Sequence, residues 1–192
     1  MAEESRCFKF CMIAMAIVIM AGFVFSIVWE TTRPCDTKYT VTITSVDGLD
    51  LHSDRQALSP VFGITVHIDS THNQMTNECV GGVGSSAIVT YGDALLAKGT
   101  MPGLCVQRTK VREAATKAWG MNVEVPHFLR DRLASEMERG QAVVDVAVRT
   151  PGGGGCYING CLDTVLVCKA KIGGGSSPCF RATTVSGTNT NT

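Results

Sequence analysis

One uninterrupted apolar segment near the N-terminus constrains this chain more than any other feature. It covers residues 10–29, reads FCMIAMAIVIMAGFVFSIVW and carries no charged side chain. As a helix rising about 1.5 Å per residue, it would span about 30 Å, the thickness of the hydrocarbon core of a bilayer. Its apolar residues cover every face, whereas a surface helix of a soluble domain keeps a polar face. The segment therefore predicts one transmembrane helix.

A cleaved signal peptide is the alternative to a permanent anchor. The apolar region of a signal peptide usually has about 7–15 residues and ends at a small-residue cleavage site. Here the apolar run is longer, and it leaves through Trp29-Glu30-Thr31. We therefore expect an uncleaved anchor.

The charge rule does not decide the orientation of the anchor, because Arg6 and Lys9 precede the span and Arg33 and Lys38 follow it. Seven of the nine cysteines follow the span, which favours an oxidising compartment for the C-terminal part. We therefore predict five segments: a cytosolic tail, the transmembrane anchor, a linker, a β domain and a disordered tail rich in Gly, Ser, Thr and Asn. In that order they cover residues 1–9, 10–29, 30–36, 37–172 and 173–192.

Alternating side chains after the linker predict short β-strands. Apolar residues occupy every second position in residues 37–46, 58–69 and 141–149, which is the period of a half-buried strand. Further strands are expected at residues 86–91, 94–98, 103–110, 119–125 and 162–172. Residues 111–118 fit the period of a helix as well as that of a strand. The predicted fold class is all-β: an antiparallel immunoglobulin- or fibronectin-like β-sandwich with one added helix, preceded by one transmembrane helix.

The added helix is expected between Pro126 and Gly140, residue types that suit the first helical position and the position after the last turn. Leu129, Leu133 and Met137 repeat every four residues between them, which predicts one apolar stripe. The charged residues are expected mostly away from this stripe: Arg130, Asp131, Glu138 and Arg139.

The cysteines fall into two groups on either side of the predicted anchor. Cys7 and Cys11 lie at its cytosolic edge and are candidates for S-palmitoylation, with plain small apolar residues as the alternative. Cys168 follows three apolar residues, and we interpret it as a buried thiol. The six candidates for disulfide bonds, whose pairing is left open, are Cys35, Cys79, Cys105, Cys156, Cys161 and Cys179. Their spacing matches no common zinc pattern, so no metal site and no cofactor are predicted.

The sequence offers little that points to catalysis. It lacks a nucleophile elbow, a dinucleotide-binding fingerprint and a P-loop. Its formal net charge of zero argues against a nucleic-acid-binding protein. Basic residues alternate at Arg108, Lys110 and Arg112, and again at Lys169 and Lys171. Alternation would place each set on one strand face, either as ordinary solvated residues or as contacts to anionic lipid headgroups or an acidic polysaccharide.

Several segments together resemble one family of proteins. The chain reads Y-T-V-T-I from Tyr39, L-S-P-V-F-G-I-T-V-H-I from Leu58 and V-V-D-V-A-V-R-T from Val143. The most specific positions are Tyr91, Leu96, Ala97, Gly99, Pro102 and Gln107. Over roughly residues 39–168, the chain resembles the plant harpin-induced-like proteins, which contain the group-two late-embryogenesis-abundant domain. The resemblance implies a plant plasma-membrane protein linked to pathogen response or stress tolerance, and it implies no catalytic residues.

The anchor and the resemblance together predict a non-enzymatic, single-pass plasma-membrane protein. Its N-terminus would be cytosolic, and its C-terminal domain would be an extracellular interaction module acting in plant defence or stress response. The expected partners are the membrane and an unidentified protein, in a homo- or hetero-oligomer. The alternatives are a lipid- or cell-wall-binding module and a protein that protects others during dehydration.

Overall fold

The computed structural model divides the chain into two units, Met1–Cys35 and Asp36–Thr192. It describes residues 2–31, 37–51, 57–73, 76–153, 156–157 and 160–185. The first unit is helix α1, Ala2–Thr31, which also includes most of the predicted tail. The side chains from Met12 to Trp29 are apolar enough, and the helix long enough, to cross a membrane, a property shared by signal sequences near an N-terminus. The predicted apolar helix is therefore confirmed.

The second unit consists mainly of β-strands. In chain order they are β1 (Lys38–Asp47), β2 (Ala57–Leu58), β3 (Val61–Asp69), β4 (Glu78–Val80), β5 (Ser86–Tyr91), β6 (Ala94–Thr100), β7 (Leu104–Val106), β8 (Val111–Trp119), β9 (Val123–Glu124), β10 (Val143–Thr150), β11 (Cys156–Tyr157), β12 (Gly160–Lys171) and β13 (Ser177–Val185). Helix α2, His127–Glu138, follows β9.

Eight of the described strands pair into one barrel-like antiparallel sheet. The order is β10-β5-β6-β8-β3-β1-β13-β12, and β12 also pairs with β10, so the hydrogen-bonded neighbours form a ring. β11 adds to β12, while β2–β9 and β4–β7 form two small separate sheets. An antiparallel β fold with one added helix is confirmed. The two stacked sheets of an immunoglobulin- or fibronectin-like sandwich are not seen among these strands, because pairing on both sides of β12 links what would be separate sheets.

Alternation of side chains explains both the strands and the core. In β1, Tyr39, Val41 and Ile43 are buried, and in β5 the buried residues are likewise every second one, Ala87 and Val89 among them. An antiparallel strand with one apolar face packs that face inward and leaves the other to solvent. The outward positions of the ring are therefore the ones available to a ligand or partner.

The segment that fitted both a helix and a strand is strand β8. It pairs with β3 along its whole length, from Asp69 opposite Val111 to Val61 opposite Trp119. At its far end it meets β6, where Lys98 lies opposite Trp119. Pairing with two neighbours outweighs the helical spacing of its alanines, because tertiary context overrides a weak local pattern.

The prediction that residues 173–192 form a disordered tail is wrong for residues 177–185, which form β13. β13 pairs with β12 from Leu162 opposite Val185 to Cys168 opposite Cys179. It also pairs with β1. Polar, glycine-rich composition predicted disorder, but two neighbouring strands and a disulfide hold this segment in the sheet.

Helix α2 has the predicted position. Pro126 is the residue before the first turn rather than the first helical residue, and Gly140 follows the last turn with a φ of +62°. Leu133 is buried, and Leu129 and Met137 are partly buried against the core. The apolar stripe is therefore confirmed, and glycine suits the left-handed conformation that ends the helix.

Arg130 was expected away from the apolar stripe of α2, and this prediction is wrong. The residue is buried, and its Nε and one terminal nitrogen donate hydrogen bonds to the carbonyl oxygens of Leu51 (2.9 Å) and Asp50 (3.2 Å). The fork of a guanidinium can satisfy several carbonyl groups at once, which makes its burial tolerable. Arg130 thereby fastens α2 to the segment after β1.

Candidate functional site

Disulfides join directly opposed strands in two places. Cys79 of β4 is bonded to Cys105 of β7, and Cys168 of β12 is bonded to Cys179 of β13. Cys161 is also disulfide-bonded. The disulfide prediction is confirmed for Cys79, Cys105, Cys161 and Cys179, but the interpretation of Cys168 as a buried thiol is wrong because its sulfur is bonded. It is buried as expected, and β13, which was expected to be disordered, brings Cys179 opposite it.

Other cysteine predictions fall outside the described part of the chain. Cys35 and the side chain of Cys156 are not described. Cys7 and Cys11 occupy positions in α1, and their side chains are likewise not described, so their lipidation stays a prediction. Among the described residues, no group of three or more His, Cys, Asp or Glu side chains is placed to hold a metal ion.

The predicted basic face is a turn followed by a strand. Arg108 and Lys110 lie between β7 and β8, and only Arg112 lies in β8. The side chains of Arg108 and Lys110 do not alternate as in a strand, because Thr109 between them has a φ of +58°. Its backbone N–H donates to the carbonyl oxygen of Ser70 (3.1 Å). In contrast, Lys169 and Lys171 are both exposed in β12, as strand alternation predicted.

Arg108, Lys110 and Arg112 are nevertheless close in the chain, exposed and not neutralised. None of the three forms an ion pair with another described residue. The Lys110 ammonium donates a hydrogen bond to the side-chain oxygen of Gln107 (3.1 Å). They lie at the end of the sheet where β1 begins, because Asp69 is opposite both Lys38 and Val111. We call these three residues the basic turn.

A polar cluster joins three strands near the same end of the sheet. The Tyr39 hydroxyl donates to Oε2 of Glu78 (3.0 Å), and Arg181 donates to the same oxygen (2.9 Å). Burial, followed by the negative charge of Glu78, raises the pKa of Tyr39 to about 12. Because each group satisfies another, the cluster connects β1, β4 and β13 and leaves no reactive group free.

A cleft of about 930 Å³ opens on the outer face of β5, β6 and β8. Ser86 and Thr100 lie opposite each other in its floor and alternate with the buried Ala87 and Gly99. Its remaining walls come from the 81–85 loop, the turn after β8 and the loop after β10. The side chains that give it its chemistry are Val83, Lys98, Trp119, Met121, Arg149 and Pro151.

Three apolar side chains at the rim of this cleft are unusually exposed. Val83 is 103% exposed, Met121 78% and Trp119 51%. Val83 lies between two glycines with positive φ, and Met121 precedes Asn122, whose φ is +52°. Turns of this kind hold side chains away from the body of a domain. Contiguous exposed apolar side chains of this size often mark a binding surface.

Positive charge accompanies these apolar side chains. Lys98 lies directly opposite Trp119 and is exposed. Arg149 is about half exposed, and its Nε donates to Oδ2 of Asp163 (2.8 Å), whose Oδ1 accepts the backbone N–H of Gly152 (3.0 Å). Asp163 is fully buried. The carboxylate therefore fixes the guanidinium at the rim of the cleft.

The described residues that line the cleft are apolar, cationic and hydroxyl-bearing. Neither a carboxylate nor an imidazole is among the described residues that line it. Ser85 lines it too, but its hydroxyl is buried without a hydrogen-bond partner in the described part of the chain. A nucleophilic serine needs an adjacent base to be activated. These residues can instead stack on, hydrogen-bond to and neutralise a ligand.

The sequence did not reveal this cleft. Trp119 and Met121 belong to the strand predicted at residues 119–125, and the sequence does not single out residues 82–85. The signal that could have found it is the presence of large apolar residues beside glycine and asparagine in turns, where solvent exposure is expected.

Comparison with protein-family models, with curated proteins and with solved structures finds no match. The resemblance to plant harpin-induced-like proteins therefore stays a prediction.

Proposed function

We propose that this chain is a single-pass plasma-membrane protein whose β domain faces the cell exterior and acts there by binding, in plant defence or stress response. The observation that carries the proposal is an apolar helix long enough to cross a membrane, followed in the same chain by a disulfide-bonded β domain. Disulfides persist in oxidising compartments and are rare in the cytosol. The disulfides therefore support a translocated domain, and with an uncleaved anchor this arrangement has the N-terminus in the cytosol.

Binding is favoured over catalysis by what lines the cleft. Exposed apolar side chains and two cations surround it, and the described residues that line it with Ser85 and Ser86 include neither a carboxylate nor an imidazole. Ligand sites commonly combine apolar walls with a few polar groups that fix orientation.

The assignment to defence or stress depends on the resemblance. Most of its specific positions carry out packing: Leu96 and Ala97 are buried, and a Cβ on Gly99 would lie 2.2 Å from the carbonyl oxygen of Lys117. The buried Leu96 and Ala97 preserve a core and do not line the cleft. The biological setting can thus be shared with the family while the ligand is particular to this chain.

A topology experiment tests the proposal. The full chain, with one epitope tag at each terminus, is expressed in plant cells, and intact cells are treated with protease and a membrane-impermeant thiol reagent. We expect the C-terminal tag to be lost to protease, the N-terminal tag to be protected, and the domain cysteines to react only after reduction. A protected domain with reduced cysteines would place it in the cytosol and contradict the proposal.

The same tags separate an anchor from a signal peptide. An uncleaved anchor keeps both tags on one membrane-bound chain. A cleaved signal would release a C-terminally tagged domain into the medium without the N-terminal tag, and that result would refute the single-pass arrangement.

Contact with anionic lipid is a second candidate function, and the basic turn favours it. Its three cations lack ion-pair partners among the described residues, and they lie at the end of the sheet where β1 begins, seven positions after the last residue of α1. Each cation held near the anionic cytoplasmic leaflet contributes about 1 kcal/mol. This second function, unlike the first, therefore requires the β domain to face the cytosol.

Hydrogen exchange on the full chain in nanodiscs tests this second function. We expect the backbone of residues 107–112 to exchange more slowly in phosphatidylserine nanodiscs than in phosphatidylcholine nanodiscs, and salt to remove the difference. Changing Arg108, Lys110 and Arg112 to serine should abolish the protection, whereas the control change of Lys169 and Lys171 to serine should keep it. Equal exchange in both lipids would exclude lipid contact by the basic turn.

A further inference from the structure

The cleft beside Trp119 combines features that suit one class of ligand. We propose that it binds an acidic oligosaccharide, a chain of uronic-acid residues such as those of plant cell-wall pectin. The inference rests on the proposed function, because only an extracellular domain meets the wall. It concerns a different surface from the basic turn and requires no catalysis.

Trp119 supplies a platform for a sugar ring. Its indole is half exposed at the cleft rim, and the exposed Met121 follows it by two positions. The face of an aromatic ring is negatively polarised. The C–H groups on one face of a pyranose carry small positive charges, so the sugar can lie flat on the indole while its hydroxyls point elsewhere.

Two cations suit the carboxylates of a uronic-acid chain. Lys98 lies opposite Trp119, so its ammonium can reach a carboxylate on a sugar that stacks there. The guanidinium of Arg149 is already oriented by its hydrogen bond to Asp163. Because it is held in place, it loses less conformational entropy when it binds a carboxylate of the ligand. Within the part of the chain that the structure describes, no carboxylate lines the cleft and competes for Lys98.

Hydroxyl groups in the floor complete the match. Ser86 lies opposite Thr100 on one side and opposite Arg149 on the other, and each hydroxyl can donate one hydrogen bond and accept others. The volume of about 930 Å³ lies in the usual range for small-ligand sites, about 300–1,000 Å³.

The floor of the cleft argues against an extended peptide as the occupant. Peptides that add a strand to a sheet need an unpaired strand edge. Here the floor is the outer face of β5 and β6, which pair with each other from Ser86 opposite Thr100 to Tyr91 opposite Ala94. The cleft therefore offers side chains and not free backbone groups.

Tryptophan fluorescence provides a readout specific to this cleft, because the chain has two tryptophans, Trp29 in α1 and Trp119. The full chain carrying Trp29→Phe is placed in phosphatidylcholine nanodiscs and titrated with oligogalacturonides in calcium-free buffer. We expect a saturable change in Trp119 emission. A neutral galacto-oligosaccharide of equal length should give none.

Matched variants locate the binding groups. Lys98→Ser removes an exposed cation and should weaken binding about tenfold, the loss expected for one charge-assisted contact. Arg149→Lys keeps the charge near Asp163 but loses the fork, and it should also weaken binding. The control Lys169→Ser, also an exposed lysine of the sheet, should bind like the parent chain.

The proposal is overturned if oligogalacturonides leave Trp119 emission unchanged, or if Lys98→Ser binds as tightly as Lys169→Ser. An equal response to polyglutamate would show that charge alone suffices and would also overturn it. The topology experiment separates this failure from that of the proposed function. A domain found outside the cell with an unresponsive Trp119 refutes the oligosaccharide site alone.

Discussion

The ion pair between Arg149 and Asp163 allows a quantitative test of how the cleft is built. Asp163 is fully buried, accepts hydrogen bonds from Arg149 (2.8 Å) and from the backbone of Gly152 (3.0 Å), and lies below a guanidinium that is 53% exposed. Arg149→Leu removes the positive charge of Arg149 from beside a buried carboxylate. Asp163→Asn leaves a half-exposed guanidinium that water can solvate. The two single changes should therefore have unequal costs.

The magnitudes follow from burial. Removing one partner of a buried ion pair costs about 3–5 kcal/mol. Since Arg149 is half exposed and Gly152 still donates to Asp163, we expect about 3 kcal/mol for Arg149→Leu. Asp163→Asn keeps an acceptor for Gly152 and should cost about 1–2 kcal/mol. The double variant removes the stranded charge as well, so it should be more stable than Arg149→Leu alone.

Thermal unfolding of the full chain in detergent, followed by near-ultraviolet circular dichroism, measures these differences. For a domain of this size, about 3 kcal/mol corresponds to a fall in Tm of about 6–12 °C. The double variant should recover part of that fall. If the loss of stability in the double variant equals the sum of the losses in the two single variants, the two side chains do not stabilise each other. That result would refute the inference that Asp163 holds Arg149 at the cleft.

Three further predictions concern other parts of the domain. Changing both Cys79 and Cys105 to alanine should cost about 3–4 kcal/mol in chemical denaturation, since their disulfide closes a 26-residue separation; a loss below about 1 kcal/mol would contradict this. Gly99→Ala should lower the free energy of unfolding by about 3 kcal/mol or prevent folding, because its Cβ would meet a carbonyl oxygen at 2.2 Å. The control Gly175→Ala, with open space around it, should melt like the parent. The pKa of Tyr39 is raised from 10.0 to about 12, so its stabilising contribution is complete below pH 10 and disappears as pH rises toward 12. Tyr39→Phe should remove this pH-dependent contribution from the free energy of unfolding measured between pH 10 and pH 12. An unchanged pH dependence would show that burial of the Tyr39 hydroxyl does not cause it.

Local patterns in the sequence predicted the elements of this domain better than their arrangement. β1 and β5 alternate cleanly, and the residues that flank α2, Pro126 and Gly140, have strong conformational preferences, so their positions could be read within a few residues. Strand β8 has alanine on both faces, and only its neighbours decide its conformation. Closure into a ring depends on β13, whose composition resembles that of a disordered tail.

The candidate site was harder to predict because its groups come from separate segments. Val83, Trp119 and Arg149 belong to different loops and strands, and only the pairing of β10 with β5 and of β6 with β8 brings them together. Arg108 and Lys110 were found by their charge, but their orientation depends on a left-handed turn at Thr109 that strand spacing does not reveal. Periodic patterns of residue types predict neither which distant strands pair nor the backbone conformation of one residue.

The position of β13 has a consequence for how the domain is made. β13 pairs with the first strand of the domain and with β12, yet it is the last strand to be synthesised. Until it emerges, β1 and β12 each have an unpaired edge, and such edges readily pair with other chains. Ring closure therefore follows the synthesis of every other strand of the ring. A stop codon shortly before β13 would yield a sheet with two open edges, prone to self-association, and not a slightly shortened protein.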